Sequence, residues 1–507
     1  MQEFRSVIEE GYQTKGESLI LGGAMHGGKT IQELYVRAPL STFNRHGMIS
    51  GATGTGKTKS LQVLVEHLSH RGVPSLIMDI KGDLSGLAKP ASPHPKIGER
   101  QSAIGLPFYP KGFPVEFMTL SGKEGVRLRA TLTEFGPILF SKILDLNSTQ
   151  ASIVSIIFKY CDDNQFPLID LNDFKTTLTW MTTHGKDMVE REYGRIHTAS
   201  VGAIIRKLIA LEQQGADIFF GEPSFEVQDL CRQDLDGRGV ISVLRLMDLM
   251  DRPQLFSTFM LQMLAEIYAT FPEEGDLDQP KLVIFIDEAH LIFNNASREL
   301  LDQIETTVKL IRSKGIGVFF ITQNPVDVPE SILGQLGMKV QHALRAFTAK
   351  DRKAIRLAAQ NFPESEFYDV AELLTNLGTG EALVTVLREN GRPSPLVQTM
   401  MRAPESRMDI LEDPELQAIV NNSRMVLKYE KDLDRESAYE ILSQKMEIAA
   451  REKEENKPRK KPQPTFFEKT LQQASGQITR EISRTIARSI LGVLGVGGSS
   501  KKKGLFF

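Results

Sequence analysis

Short apolar runs that stop at polar residues recur along this chain. "VPSLIMDI" (73–80), "GVISVLRL" (239–246), "KLVIFIDEAH" (281–290) and "GVFFITQNP" (317–325) are dominated by aliphatic and aromatic residues. Such nearly continuous runs mark strands covered on both faces, as in parallel sheets. "HGMIS" (46–50) is a shorter example, and "KVQHALRAF" (339–347), "GEALVTVL" (380–387) and "SPLVQTM" (394–400) are further strand candidates. Between them the period changes. In "KSLQVLVEHLSHRG", Leu61, Leu64, Val65 and Leu68 recur at helical spacing, and Gly72 supplies a stop. Strands alternating with helices predict an α/β fold whose parallel sheet is covered by helices on both faces.

The same pattern divides the chain. Residues 1–45 read as a short N-terminal β segment of strands and turns. Residues 46–90 and 239–400 carry the alternating α/β pattern and form the predicted core. Between them, 91–238 begins with a Pro- and Gly-rich loop and then turns mostly helical, as in "NSTQASIVSIIFKYC" and "TASVGAIIRKLIALEQQG"; it reads as an insertion. A charged helical extension covers 401–453. "EENKPRKKPQP" (454–464) is a linker by composition. The tail, 465–507, has Ile478, Ile482, Ile486 and Ile490 four apart, with Arg480, Arg484, Arg488 and Lys501 to Lys503 nearby. The plain expectation is a C-terminal helix docked on its own assembly; lying on an anionic membrane, packing on a neighbour and binding DNA are the alternatives.

Composition narrows the classes. Hydrophobic content of 41% and charged content of 25% belong to an ordinary globular protein. Net charge is −3, so any nucleic-acid contact needs a local basic surface. The two cysteines, Cys161 and Cys231, have no Cys or His at metal-ligand spacing, which disfavours a disulfide framework or a zinc site and suits a reducing cytoplasm. The N-terminus lacks the apolar segment of a signal peptide. No run of about 18 apolar residues exists, so no membrane span is expected.

Two stretches fit the phosphate-binding pattern G-x-x-x-x-G-K-[ST]: "GAMHGGKT" (23–30) and "GATGTGKT" (51–58). Such a loop must leave a strand and open a helix, whose N-terminal N–H groups then face the anion. Only the second is followed by a helical pattern. After the first comes "IQELYVRAPLSTF", a β-like run interrupted by Pro39. Gly51, Ala52, Thr53, Gly54, Thr55, Gly56, Lys57 and Thr58 are therefore the predicted nucleotide loop. Gly23 to Thr30 is a Gly-rich turn, with His26 and Lys29 on the surface.

The loop has predicted partners at other strand ends. Lys57 should reach the β- and γ-phosphates of ATP, and Thr58 should ligate Mg²⁺. Asp287 closes a buried strand where parallel sheets place ligands, and should hold the metal mainly through water. Glu288 follows, as a general base for the attacking water. Gln323 closes the next strand, where an amide can contact the γ-phosphate and the water. Asp79 and Lys81, in "MDIKGDLSG", either line the same cleft or form a turn. Each feature alone is commonly a strand end or turn; together and in this order they predict a nucleotide hydrolase.

"RHGMISGATGTGKT", "IMDIKGDLSGLA", "VIFIDEAH" and "GVFFITQNP" resemble the HerA/FtsK superfamily of P-loop ATPases, and within it the HerA-like C-terminal domain group of the bacterial YjgR type. The resemblance spans roughly residues 15–400. It implies a RecA-like core, a homo-oligomeric ring, typically a hexamer, and translocation of double-stranded DNA. It also implies a trans-acting arginine just before the Gln strand, which points to Arg312; Arg345 and Arg45 are weaker candidates. About 45 residues precede the loop, too few for the N-terminal β-barrel of HerA proper, so partners that dock on that barrel are not implied. "DEAH" (287–290) also resembles superfamily 2 helicases, but neither their second RecA-like domain nor their late Gln/Arg-rich motif is present. Beside the DNA-translocating ATPase stand two further readings: a protein-remodelling or secretion-type ATPase, and an ATP-regulated scaffold with slow hydrolysis.

Overall fold

The structure is a computed structural model. It describes residues 1–455 apart from 250–252, 276, 295–297, 347, 432 and 434. The linker, all but its first two residues, and the whole C-terminal tail lie outside the described residues.

Among the described residues, twelve strands form one sheet. In chain order they are β1 (Ser18–His26), β2 (Lys29–Pro39), β3 (Gly47–Ser50), β4 (Ser75–Asp79), β5 (Val115–Thr119), β6 (Val126–Arg127), β7 (Ile241–Arg245), β8 (Leu282–Ile286), β9 (Ile316–Thr322), β10 (Met338–Gln341), β11 (Glu381–Thr385) and β12 (Val397–Met401). Their spatial order is β2-β1-β12-β11-β10-β3-β9-β8-β4-β7-β5-β6. The strands from β10 through β6 run parallel, while β11, β12, β1 and β2 continue the sheet antiparallel.

The apolar runs have a physical cause. In β8, Leu282, Ile284 and Ile286 enter one core, whereas Val283 and Phe285 enter another on the opposite face. In β9, Ile316, Val318 and Phe320 alternate in the same way with Phe319 and Ile321. Every residue of both strands is buried. With no face toward water, alternation disappears from the sequence. One core extends into the helices of 132–213, and the other packs on the helix Lys57–His70.

Three features differ from the sequence expectation. The chain starts with a helix, Gln2–Gly11, rather than strands alone; Phe4 and Ile8, four apart, bury the face it presents. His26 is not a plain surface residue, because its ring stacks on Phe4 at 4.7 Å. And β5, inside the mostly helical 91–238, is a strand of the main sheet, with Phe117 and Met118 entering opposite cores. Its run is only five residues long and follows Pro114, so loop composition hides it.

The helix after the phosphate loop is tied down by Glu66. Its carboxylate accepts from the backbone N–H of Glu405 at 2.8 Å and of Ser406 at 3.0 Å, and from the Ser406 hydroxyl. Burial pushes this carboxyl up from 4.5 to about 7, against the pull of those bonds. The folded protein then holds this proton more tightly than the unfolded chain. The stabilisation is complete below the unfolded value and is lost as pH rises through about 7. Thermal melts from pH ~5 to ~8 should show Tm falling with pH, and Glu66→Gln should flatten that slope. An unchanged slope in the variant would assign the pH dependence to other groups.

Among the described residues no helix is long and apolar enough to cross a membrane. Cys161 and Cys231 are free thiols.

Candidate nucleotide site

The loop Gly51–Thr58 connects β3, in the middle of the sheet, to the helix Lys57–His70. Its curl needs glycine. Gly51, Gly54 and Gly56 have φ of 151°, 76° and 117°, which L side chains rarely adopt. At Gly51 a Cβ would also meet the Cβ of His342 at 2.6 Å. Neighbouring strands hold the loop: the Gly51 N–H donates to the Thr322 carbonyl at 3.3 Å, and Ala52 N–H to Ala343 at 2.8 Å. His342 supports it from beneath. Its Nε2 pairs with the Ser60 hydroxyl at 2.9 Å, its Nδ1 lies 2.8 Å from the Glu381 carbonyl, and burial pulls its ring down to about 4.

Lys57 folds back on the loop. Its Nζ donates to the carbonyls of Gly51 at 2.6 Å and Ala52 at 3.1 Å. Burial pulls the ammonium below the usual lysine range, nearby Lys81 adds to this, and Glu288, Asp287 and Asp83 oppose it. Thr58 donates its hydroxyl to Asp83 at 3.3 Å.

The acid pair stands at the C-terminal end of β8, one strand beyond β9. Asp287 is buried, and burial pushes its carboxyl up to about 7; Lys81 opposes this and Glu288 adds to it. Glu288 has φ 47°, a left-handed backbone uncommon for a side chain of this size. It is buried between two side chains: Lys81 forms an ion pair with Oε1, and His290 Nδ1 lies 3.0 Å from Oε2. Asp79 turns the chain instead of facing the cleft. Its carboxylate accepts from the N–H of Gly82 at 2.7 Å and of Leu84 at 3.3 Å. Of the two residues the sequence left open, Asp79 is thus the turn former, and Lys81 reaches Glu288.

Gln323 follows the last residue of β9 and is exposed. It is adjacent in sequence to Thr322, whose carbonyl receives the loop's first N–H. Arg312 stands elsewhere. It opens the turn before β9, at the opposite end of that strand, and lines a cleft of about 660 Å³ with Arg45, Lys309 and Lys339. Arg345 is exposed and lies in the segment after β10, not on a strand. Of the first Gly-Lys-Thr stretch, expected as a turn throughout, only Gly27 and Gly28, with φ of 58° and 75°, form a hairpin turn; Gly23 to His26 belong to β1 and Lys29 and Thr30 to β2, with Lys29 exposed.

The donor set suits a hard divalent cation. Thr58, Asp83 and Asp287 offer oxygens, and one Asp83 carboxylate oxygen is buried without a hydrogen-bond partner. A nearby cation would favour ionised Asp287. Among the described residues no cluster of three or more His, Cys, Asp or Glu could hold a metal alone. Mg²⁺ is compatible with this, because it keeps most of its water and needs only one or two carboxylates.

Sequence reasoning did not single out Asp83, His290, His342 or the Lys81–Glu288 ion pair. The "KGD" spacing was the available signal for Asp83; nothing local marks His342, which lies 282 residues from Ser60.

The profile of the family described as "Helicase HerA-like C-terminal" matches residues 25–468. The chain belongs to this family. It is a P-loop ATPase of the HerA/FtsK type. Among its relatives, the DNA double-strand break repair helicase HerA of Saccharolobus solfataricus is 23% identical over 393 residues, which cover 76% of this chain and 68% of the relative. The protein of the same name from Sulfurisphaera tokodaii is 24% identical over 377 residues, covering 71% and 66%. The chain thus spans about two thirds of the length of these relatives. The bacterial conjugative coupling protein TrwBdeltaN70, in its trigonal form, shares the fold with a TM-score of 0.52 at 14% identity, over 80% of this chain and 94% of that one.

Proposed function

We propose that the chain is an ATP- and Mg²⁺-dependent ring motor that translocates double-stranded DNA. The observation that carries the nucleotide chemistry is the convergence of the loop, Asp287, Glu288 and Lys81 at the C-terminal ends of β3, β8 and β4. The DNA substrate and the ring rest on the family and on relatives described as DNA double-strand break repair helicases.

In this reading the loop N–H groups and Lys57 cradle the phosphates. Lys57 exchanges its two loop carbonyls for phosphate oxygens. Thr58 and Asp287 would hold Mg²⁺, which would neutralise charge on the phosphate oxygens. Glu288 takes the proton of the attacking water. Lys81 on its Oε1 lowers its basicity, and the γ-phosphate is a competing anion that would draw Lys81 away. Gln323 contacts the γ-phosphate and the water. Arg312, remote from the loop of its own chain, serves the site of a neighbouring copy. The setting is cytoplasmic.

The test is ATPase rate with and without duplex DNA, alongside mass measurement with nucleotide. Stimulation by DNA and a nucleotide-dependent closed oligomer are expected. Turnover indifferent to DNA would shift the reading to a protein-remodelling ATPase; assembly with negligible turnover would shift it to a scaffold. For Arg312, Arg312→Ala should bind ATP and barely hydrolyse it, losing ~10³-fold or more. Mixing with Lys57→Ala subunits should restore activity at hybrid interfaces. A mixture that stays inactive while subunits demonstrably exchange would remove the trans role.

A further inference from the structure

A second concavity adjoins the phosphate loop, with a volume of about 300 Å³. Gly56, Lys59 and Ser60, at the start of the loop helix, form one wall. The opposite wall includes Thr379 and Gly380, which lead into β11. In the sheet, β10 and β11 lie on one side of β3, whereas β9 and β8, which lead to Gln323 and the acid pair, lie on the other. A triphosphate whose terminal phosphate faces Glu288 must send its nucleoside end the opposite way, toward this cleft. The volume is at the lower end of small-molecule sites.

The chemistry of the walls says how a base would be held. Several of their polar groups are committed within the protein. The Ser60 hydroxyl pairs with His342 at 2.9 Å, and the Lys59 ammonium donates to the Met408 carbonyl. The Arg100 guanidinium donates to the carbonyls of Thr379, Gly380 and Met401, each at 3.0 Å. The Gly380 N–H is taken by the Thr55 carbonyl at 2.9 Å. The rest of the lining is mostly apolar, Ile97, Met401, Ala403, Pro404 and Met408; Arg402 is turned to Glu405 at 2.9 Å, and His94 and Lys96 are exposed residues of the lining.

We propose that this cleft is the nucleoside site, and that it grips a purine by apolar contact without reading its hydrogen-bonding edge, so that ATP and GTP are accepted alike. The inference rests on the phosphate-loop reading above. Adenine and guanine share a ring shape and differ in the groups at their edge. A site that hydrogen-bonds one ligand rejects the analogue by about 10⁴–10⁵-fold, whereas an apolar pocket sorts isosteres by about 10²-fold at most.

The experiment is calorimetric titration of the full chain with ATP, GTP and inorganic tripolyphosphate, with Lys57→Ala as the control for loop binding. Both nucleotides should bind at least ~10-fold more tightly than tripolyphosphate, and within ~10²-fold of each other. Met408→Ser should weaken both nucleotides several-fold and leave tripolyphosphate unchanged, and Met408→Leu should restore them. The inference is overturned by tripolyphosphate binding as tightly as ATP, by a preference between ATP and GTP beyond ~10²-fold, or by nucleotide affinities that ignore Met408→Ser. Those results leave the phosphate loop standing. Absence of Lys57-dependent binding for all three ligands would instead remove the loop reading, and this inference with it.

Discussion

Lys57→Ala should raise the Kd for ATP by ~10²-fold or more, the scale of losing a charge-assisted contact worth up to about 3 kcal/mol. Lys29→Ala should leave it unchanged. The two lysines end identical sequence patterns, yet their surroundings differ. Lys57 opens a helix at the centre of a parallel sheet and already rests on two carbonyls of its own loop. Lys29 is exposed at the start of β2, after a two-glycine hairpin turn, and no helix follows it. A phosphate placed there would meet strand backbone instead of a helix N-terminus. Calorimetric titration of both variants is the check. Equal damage from Lys29→Ala would reverse the choice of loop.

The second large effect is expected at Glu288. Glu288→Gln keeps the shape and removes the basicity, so ATP should bind while turnover falls by ~10²-fold or more. The substitution also releases Lys81 from its ion pair. Lys81 is about one-third exposed, so water can take over its solvation and the fold should tolerate the loss. Tight ATP binding with single-turnover hydrolysis slowed to the same extent would place the defect in the chemical step. Near-normal turnover would take the base role from Glu288.

The central sheet was legible because both faces of its strands are buried. Leu282 to Ile286 and Ile316 to Thr322 stand out in the sequence since burial leaves no polar alternation. That a helix follows the second Gly-Lys-Thr stretch and a strand the first was legible too, because helix periodicity is a local signal. What stayed hidden depends on neighbours distant along the chain. His342 under the loop, Arg100 across the Thr379–Gly380 turn and Lys81 on Glu288 are contacts between separate segments, and no local pattern announces them. The opening helix was missed for another reason. Its buried face is only Phe4, Ile8 and Gly11, too few positions to establish a period.

The two borders of the sheet bear on how this protein behaves when concentrated. One border strand, β6, is two residues long. The other, β2, loses register with β1 twice, carries Glu33 at φ 62°, and points Lys29, Gln32 and Glu33 to solvent. A short rim and a bulged, charged rim are both poor templates for strand addition. Molecules colliding in a crowded solution therefore find little backbone to zip onto. Despite twelve strands and long apolar runs, the sheet of the described residues is poorly suited to fibril-like stacking at either rim.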